Sequence, residues 1–226
     1  MCRLLGIKYF DFDAHKELVE NFFTLSEKGK GYMGSSAGHK DGWGIGYYKE
    51  GKPCIYKSGA SVVKEKDAYF AKLKEASGTE NLIVHLRKSA WDGTTNARHA
   101  HPFALGNTLL AHNGTIDDYW KAIQVDQNKI KDTEAFLMLM TGYSTEGLEA
   151  AFAHAVDDIK KKCLYSALNM LISDGTNIYA YRNFTSQPDY YTLFRTKMDR
   201  STVFCSEQIN PNAAWENMDP DKLYTA

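Results

Sequence analysis

The sequence predicts an α+β domain in which strands and helices form separate layers. Segments typical of strands open and close the chain, whereas amphipathic helices occupy its middle. The closing strands are separated by tight turns such as Ser173-Asp174-Gly175, and this order does not alternate strand and helix as a parallel sheet requires. The 226 residues, 43% of them hydrophobic, can bury one large core. Because no repeat or convincing linker divides them, residues 1–226 are predicted to form a single domain.

The first half of the chain is predicted to hold strands with two helices between them. Five glycines between residues 29 and 42 indicate a loop. Glu50-Gly51-Lys52 is a turn signal with apolar residues on both sides, which predicts a hairpin. The predicted strands cover 3–10, 43–48, 54–57, 81–86 and 108–112, and the predicted helices cover 15–25 and 67–76.

The second half contains the clearest helical pattern in the sequence. Over 145–162, apolar residues such as Leu148, Phe152 and Ile159 recur at the spacing of one helix face. An aspartate at the start and a glycine at the end bound a second helix over 132–142. A short helix over 117–123 precedes both, and strands are predicted over 165–172, 177–181, 191–196 and 202–205. The tail from Asn210 has few packing signals.

Composition and charge argue against several classes of function. The formal net charge is −1, and the only basic run, Lys160 to Lys162, is expected to be the solvated end of a helix. No apolar stretch is long enough to span a membrane, and the start of the chain lacks the apolar segment of a signal peptide. The four scattered cysteines suggest neither a disulfide framework nor a zinc site. We expect a cytoplasmic protein with reduced thiols and with no nucleic-acid or membrane partner.

Cys2 occupies a position that normally has no packing role, because chain ends are poorly ordered. If Met1 is removed, this residue carries a thiol and a free α-amine together. That pairing is one way to build a nucleophile with its own base. Taken alone, the stretch MCRLLG is best explained by a chance placement of this cysteine. Whether Cys2 has a function therefore depends on the other polar stretches.

Two apolar strands end in polar residues that suit a site. Arg87 follows the strand over 81–86, and its guanidinium suits either a structural salt bridge or a substrate carboxylate. Asn113 and Gly114 follow the strand over 108–112. They form either an ordinary turn or two donors, a side-chain amide and a backbone N–H, for an oxyanion. A helical stretch follows them directly, so no hairpin is completed.

Asp132 and the glycines at 42, 44 and 46 have structural interpretations as well. Asp132 is most simply a helix N-cap, and its functional alternative is to hold a substrate ammonium. Glu134 adds a second carboxylate that the helix dipole favours in the first turn. The glycines do not form a phosphate loop, because no Lys-Ser/Thr pair follows and the segment runs into a strand. They indicate close packing or a turn.

The histidines raise the question of a metal site. His99 and His101 form an alternating pair that could chelate a metal together with His85 or His112. Such pairs are common by chance, so no metal site is predicted.

Six stretches, read in order, resemble the class II glutamine amidotransferases, whose glutaminase domain belongs to the N-terminal nucleophile hydrolases. The chain is most similar to the small standalone branch whose members begin MCRLLG. Each motif is weak by itself, but six in the right order over nearly the whole chain are specific. The stretches are MCRLLG (1–6), HKDGWGIGYY (39–48), HLRKSAWDG (85–93) followed by HPF (101–103), LLAHNGTIDD (109–118), DTEAF (132–136) and CSEQI (205–209).

The resemblance implies a four-layer αββα fold of two stacked, mostly antiparallel sheets. It implies that Cys2 is the nucleophile once Met1 is removed, with its α-amine as general base, directly or through a water. Asn113 and Gly114 would form the oxyanion hole. Arg87 would hold the α-carboxylate of glutamine, and Asp132 its α-ammonium. The partner is then a small-molecule substrate, either glutamine or a γ-glutamyl compound, and no cofactor is expected.

The chain departs from the family's pattern after Arg87. Members often read R-x-A-T-H-G there, whereas this chain has Ala90 and Trp91 in place of Thr and His and reaches Gly93 one residue later. Those neighbours help line the glutamine pocket in synthase-linked members, which keeps other γ-glutamyl compounds open as substrates. No acceptor domain is expected within this length, so either a partner subunit accepts the ammonia or γ-glutamyl amides are simply hydrolysed. A catalytically silent binding or regulatory subunit is one alternative, and a metal-dependent hydrolase is a less favoured one.

Overall fold

The computed structural model describes residues 2–89 and 93–226, which fold around two antiparallel β-sheets. The first sheet is built, within these ranges, from seven strands: β1 (Arg3–Lys8), β2 (Trp43–Lys49), β3 (Lys52–Ser58), β4 (Asn81–Leu86), β9 (Phe194–Met198), β10 (Ser201–Cys205) and β11 (Glu216–Asn217). Their order is β11-β9-β10-β1-β4-β2-β3. The start of the chain therefore lies in the middle of this sheet, where β1 pairs with both β4 and β10.

The second sheet carries the Asn113 segment. In the described part of the chain it has five strands: β5 (Phe103–Leu105), β6 (Thr108–Asn113), β7 (Asn169–Ser173), β8 (Ile178–Tyr181) and β12 (Leu223–Thr225). Their order is β12-β8-β7-β6-β5. Asn113 is the last residue of β6 and pairs with Asn169 of β7.

Helices cover the outer faces of both sheets. The described α-helices are α1 (Lys16–Lys28), α2 (Lys66–Glu75), α3 (Asp132–Gly142) and α4 (Leu148–Lys162). One buried cluster joins Phe22 of α1 and Tyr69 of α2 to the first sheet, and another joins Phe136 of α3 and Phe152 of α4 to the second. A third cluster, which includes Leu4, fills the space between the sheets. The layers are therefore α, β, β and α, as the resemblance implied.

Strand β1 shows how the sequence produces this layering. All six of its residues are buried, because both faces of the sheet are covered. Successive side chains point to opposite faces, so Leu4 packs between the sheets while Leu5 packs towards α1 and α2. Each such side chain contributes about 1.5–3 kcal/mol when fully buried.

Several predicted elements differ from the observed ones at their ends. The longest helix begins at Leu148 because Gly147 has a positive φ of 85°, and a single 3-10 turn over Ser144–Glu146 precedes it. The predicted helix over 117–123 is only a 3-10 turn at Tyr119–Lys121. Strand β7 begins at Asn169, whereas the prediction began at residue 165.

The tail packs against the rest of the chain, although its sequence has few packing signals. Residues after Asn210 add β11 to the first sheet and β12 to the second, and Met218 between them is buried. Strands of two and three residues are too short to show a periodic pattern. The three-residue strand β5 was not predicted from the sequence for the same reason. The tail therefore joins the edges of both sheets.

The glycines of β2 allow close packing between the two sheets. A Cβ on Gly44 would lie 2.1 Å from the carbonyl oxygen of His101, and one on Gly46 would lie 2.6 Å from Cγ of Pro102. Any side chain at these positions would collide with the segment that leads into β5, which confirms the interpretation as close packing. Within the described ranges, no helix is both long and apolar enough to cross a membrane.

Candidate active site

The candidate site forms where the ends of three strands meet. Arg3, the first residue of β1, pairs with Leu86, the last residue of β4. Cys2 therefore lies beside Arg87 and Lys88, which follow β4. Asn113 at the end of β6 brings the second sheet to the same place, although 111 residues separate it from Cys2 in the chain.

Cys2 is held at both its backbone nitrogen and its sulfur. Its backbone N–H donates a hydrogen bond to Oδ1 of Asn113 at 2.8 Å. Its Sγ lies 3.9 Å from the carbonyl oxygen of Lys88. The residue is half-buried, and its sulfur is not in a disulfide. The nitrogen that would become the α-amine is thus anchored by a side chain that the sequence also singled out.

Asn113 presents a donor as a consequence of this contact. Because its Oδ1 accepts from Cys2, its Nδ2 points elsewhere. That Nδ2 is buried and has no hydrogen-bond partner in the part of the chain that the structure describes. A buried amide without a partner costs free energy, which is typical of a group that a ligand completes.

Gly114 follows at a point of close approach between strands. A Cβ there would lie 2.0 Å from the carbonyl oxygen of Ala167 and 2.5 Å from Nε2 of His112. Only glycine fits, and the residue lines a cavity that begins at Cys2.

Arg87 is buried and hydrogen-bonded by the protein itself. Its Nη1 donates to the backbone oxygens of Asp41 at 3.2 Å and Thr94 at 2.9 Å. Its Nη2 donates to Oγ of Ser89 at 3.2 Å and Oγ1 of Thr94 at 3.0 Å. These partners are neutral oxygens, so the arginine makes no salt bridge in these contacts, and the residue lines the cavity.

Asp132 is the first residue of α3 and not its N-cap, so the N-cap interpretation of this residue is wrong. Lys131 occupies the cap position, and its N–H is accepted by the Glu134 carboxylate at 3.1 Å. The Asp132 carboxylate instead accepts the N–H of Ile116 at 3.0 Å and of Thr133 at 2.8 Å. Asp132 therefore ties the start of α3 to the strand end that carries Asn113 and Gly114.

A cavity of about 350 Å³ joins these residues. Cys2, Arg87, Gly114 and Asp132 line it, whereas Asn113 is not among the described residues of its lining. Further lining residues that the sequence analysis did not single out include Ser89, Thr94, Phe103, Asp117, Trp120 and Lys131. The departures at Ala90 and Trp91 lie outside the described residues.

Electrostatics in the cavity reflect its partial burial. Burial raises the pKa of Asp117, and the nearby carboxylates of Asp118 and Asp132 add to the effect. Burial lowers the pKa of His99, and the positive charge of Arg87 contributes in the same direction. The lining of the cavity therefore includes both cationic side chains, Arg87 and Lys131, and acidic ones, Asp117 and Asp132.

The histidines pair with one another and with the backbone. The rings of His85 and His101 pack at a tilt of 37° with centroids 4.5 Å apart, and Nδ1 of His101 accepts the N–H of His112 at 3.2 Å. His99 instead lines the cavity. Among residues 2–89 and 93–226, no group of three or more His, Cys, Asp or Glu side chains is arranged to hold a metal ion.

The buried histidine pair leads to a prediction about acid stability. Burial lowers the pKa of His85 and of His101 well below the usual range, and their mutual repulsion adds to this for His85. Below pH of about 6.5 the unfolded chain binds protons at these residues that the folded chain excludes, so stability falls as pH falls. Each histidine can contribute up to about 1.4 kcal/mol per pH unit in this window.

Urea unfolding across this pH range checks the expectation. His85→Gln should flatten the dependence of the unfolding free energy on pH, whereas His154→Gln, at an exposed position, should leave it unchanged. An identical slope in the parent and in His85→Gln would contradict the prediction.

Comparison with known proteins identifies the family of the chain. The family model for class-II glutamine amidotransferases matches residues 1–197. YafJ of Escherichia coli strain K12, a glutamine amidotransferase by its provisional name, is 28% identical over 97% of this chain and 95% of its own length. An uncharacterized protein of Methanocaldococcus jannaschii is 26% identical over 86% of this chain, which spans only 54% of that relative.

Solved structures share the fold at low sequence identity. The glutamine phosphoribosylpyrophosphate amidotransferase of Bacillus subtilis superposes with a TM-score of 0.71 and 16% identity over 99% of this chain. This chain spans 47% of that enzyme. A class-II domain protein of Silicibacter pomeroyi gives a TM-score of 0.64 and 17% identity over 99% of this chain and 94% of its own.

The family model covers most of the chain, including every strand and helix that surrounds Cys2 up to β9. The structural neighbours extend the agreement to nearly every residue. On these grounds the chain belongs to the class-II glutamine amidotransferases and has the fold of the N-terminal nucleophile amidotransferases.

Proposed function

We propose that this protein is a cysteine amidohydrolase that acts on glutamine or on a γ-glutamyl compound. After removal of Met1, the Cys2 sulfur attacks the γ-carbonyl carbon, while the α-amine takes the thiol proton. The C–N bond then breaks, and ammonia or an amine leaves with that proton. Water attacks the resulting γ-glutamyl thioester, which releases glutamate and restores the thiol.

The observation that carries this proposal is the hydrogen bond from the Cys2 nitrogen to Asn113 Oδ1. One side chain thereby orients the group proposed as the base and leaves its own Nδ2 to donate to the developing oxyanion. Donors fixed in advance in this way stabilise a tetrahedral intermediate without further reorganisation. In the proposal, the Gly114 backbone N–H is the second donor.

Arg87 and Asp132 are proposed to bind the two charged groups of the glutamyl moiety. Both line the cavity that opens at Cys2. Arg87 presents a cationic guanidinium for the α-carboxylate, and Asp132 a carboxylate for the α-ammonium. Since both also hydrogen-bond to backbone groups, each is held in place before a substrate arrives.

The names of two similar proteins support the proposed substrate class. YafJ carries the name of a glutamine amidotransferase, and the name of the Bacillus enzyme also contains glutamine, which supports a glutamyl substrate for this chain.

We propose that the protein acts in the cytoplasm. The ammonia is then either accepted by a partner subunit or released by simple hydrolysis.

The decisive experiment compares protein with and without Met1. An α-amine has an ordinary pKa of about 7.7–8.0 and can act as a base near neutral pH, whereas a peptide nitrogen cannot. Protein processed to Cys2 should release glutamate from glutamine or from a member of a γ-glutamyl amide panel. Quenched reactions should carry a γ-glutamyl group on the Cys2 peptide in mass spectrometry.

The control is the same protein with Met1 retained, confirmed by the mass of the intact chain, and it should be inactive. Substrate binding without turnover or thioester in the processed protein would reject the proposal and indicate a silent binding subunit. Turnover that depends on added metal would reject it in favour of the metal-dependent alternative.

A further inference from the structure

The late segment CSEQI has no role in the mechanism above, yet it contacts the residue next to the nucleophile. The Arg3 side chain is completely buried and forms an ion pair with Glu207, whose side chain is 19% exposed. These residues lie 204 positions apart in the chain. Beside them, Oγ of Ser206 accepts the N–H of Leu4 at 2.9 Å. Ser206 and Glu207 therefore hold two successive residues at the start of β1.

Arg3 also donates hydrogen bonds to two backbone carbonyls. Its Nη1 donates to the carbonyl oxygen of Cys2 at 2.9 Å, and its Nη2 donates to that of Lys30 at 3.0 Å. Its guanidinium also stacks 4.5 Å from the centre of the Tyr190 ring. Glu207 accepts the N–H of Lys30 at 2.9 Å, so the ion pair joins the glycine-rich loop to the nucleophile.

Cys2 needs such a hold because it lies outside the β-ladder. The pairing of β1 begins at Arg3, and a residue at a chain end is otherwise free to move. Asn113 fixes its nitrogen and Arg3 fixes its carbonyl oxygen. Because the backbone is fixed on both sides of Cα, the orientation of the Cα–Cβ bond is fixed as well. This orientation places the side chain of Cys2 in the lining of the cavity.

A purely stabilising role explains this pair poorly. Burying an arginine with a carboxylate is weak in net stability, because desolvation opposes the attraction, and apolar residues of similar size often serve as well. Among the described residues that line the cavity, neither Arg3 nor Glu207 occurs, so neither contacts a substrate there. The contacts that an apolar replacement could not make are the hydrogen bonds to the carbonyls of Cys2 and Lys30.

We infer that Arg3 and Glu207 are positioning residues of the reaction, which fix Cys2 and couple the loop at Lys30 to it. This inference rests on the proposed function. A displacement of about 1 Å at a reacting group can cost on the order of 10²-fold in rate. The pair should therefore affect kcat and leave substrate affinity nearly unchanged.

The test uses Arg3→Lys and Glu207→Gln in the full chain processed to Cys2. Lysine keeps the charge but cannot reach three acceptors, so we expect kcat to fall about 10- to 100-fold with KM changed by less than roughly twofold. Glutamine keeps the shape of glutamate and should give a smaller fall in kcat. The matched control is Glu216→Gln, which breaks the Arg195–Glu216 pair on the β9–β11 edge of the same sheet and should leave both constants unchanged.

A second measurement does not depend on turnover. The rate at which iodoacetamide alkylates Cys2, followed on its peptide by mass spectrometry, should change in both variants, while half-buried Cys54 serves as the internal reference. If the parent protein turns over no γ-glutamyl substrate, the proposed function fails, but the alkylation rates still test the positioning. Unchanged kcat and an unchanged Cys2 alkylation rate in folded Glu207→Gln would overturn the inference, even if Arg3→Lys does not fold.

Discussion

Replacing Cys2 with alanine is expected to lower γ-glutamyl turnover by on the order of 10³-fold or more, because Cys2 is the proposed nucleophile and no other cysteine is among the described residues that line the cavity. Cys163 and Cys205 are buried, and Cys54 lies on β3, away from the cavity lining. The α-amine of an N-terminal alanine would remain, but it would have no thiol to activate. Binding of substrate to Arg87 and Asp132 should persist, so affinity should change little.

Initial rates and calorimetric binding to the processed variant measure these two effects separately. Cys54→Ala is the matched control, since Cys54 is also a half-buried free cysteine, and it should retain full activity. Residual turnover near the parent level in Cys2→Ala would reject the cysteine mechanism altogether.

Replacing Asn113 with aspartate is expected to lower kcat by about 10²–10³-fold, the usual effect of losing one oxyanion donor. Aspartate keeps an oxygen for the Cys2 nitrogen and removes the Nδ2 donor, so the change separates the two roles of this side chain. Its negative charge would also oppose the charge of the intermediate. KM should change much less than kcat, because a donor used in the transition state contributes little to ground-state binding.

The control for this substitution is Asn81→Asp. Asn81 is also a buried asparagine, but it lies at the end of the β1–β4 pair that is farthest from Cys2. Thermal unfolding of both variants shows whether either is simply unstable. We expect the control to keep its kcat if it stays folded. A folded Asn113→Asp protein with the kcat of the parent would exclude Asn113 as an oxyanion donor.

Local patterns predicted much of the secondary structure. The strand over Asn81–Leu86 and the helix over Asp132–Gly142 have the predicted ends, and the hairpin turns at Glu50 and Gly51, both with positive φ. These elements carry their own signals, namely an apolar run, capping residues and a turn pair. Short strands such as β5 and β12 carry none, because two or three residues do not define a period.

The order of the motifs predicted the family and the four layers, and it singled out five site residues. Four of them line one cavity, and the fifth, Asn113, contacts Cys2 directly. The sequence analysis missed Arg3 and Glu207. A charged residue inside the apolar run that follows Cys2 was the available signal, but it does not reveal a partner 204 positions away.

The sequence by itself determined which chemical groups are present and which local elements carry them. A thiol next to Met1, an amide and a glycine after an apolar strand, and an arginine after another can be recognised without a structure. Only the tertiary structure decided what each group contacts. It showed that Asp132 holds two backbone N–H groups, that Asn113 turns its oxygen to Cys2, and that Glu207 reaches Arg3. The physical reason is that these contacts follow from the pairing of distant strands and the stacking of two sheets, which local propensity does not encode.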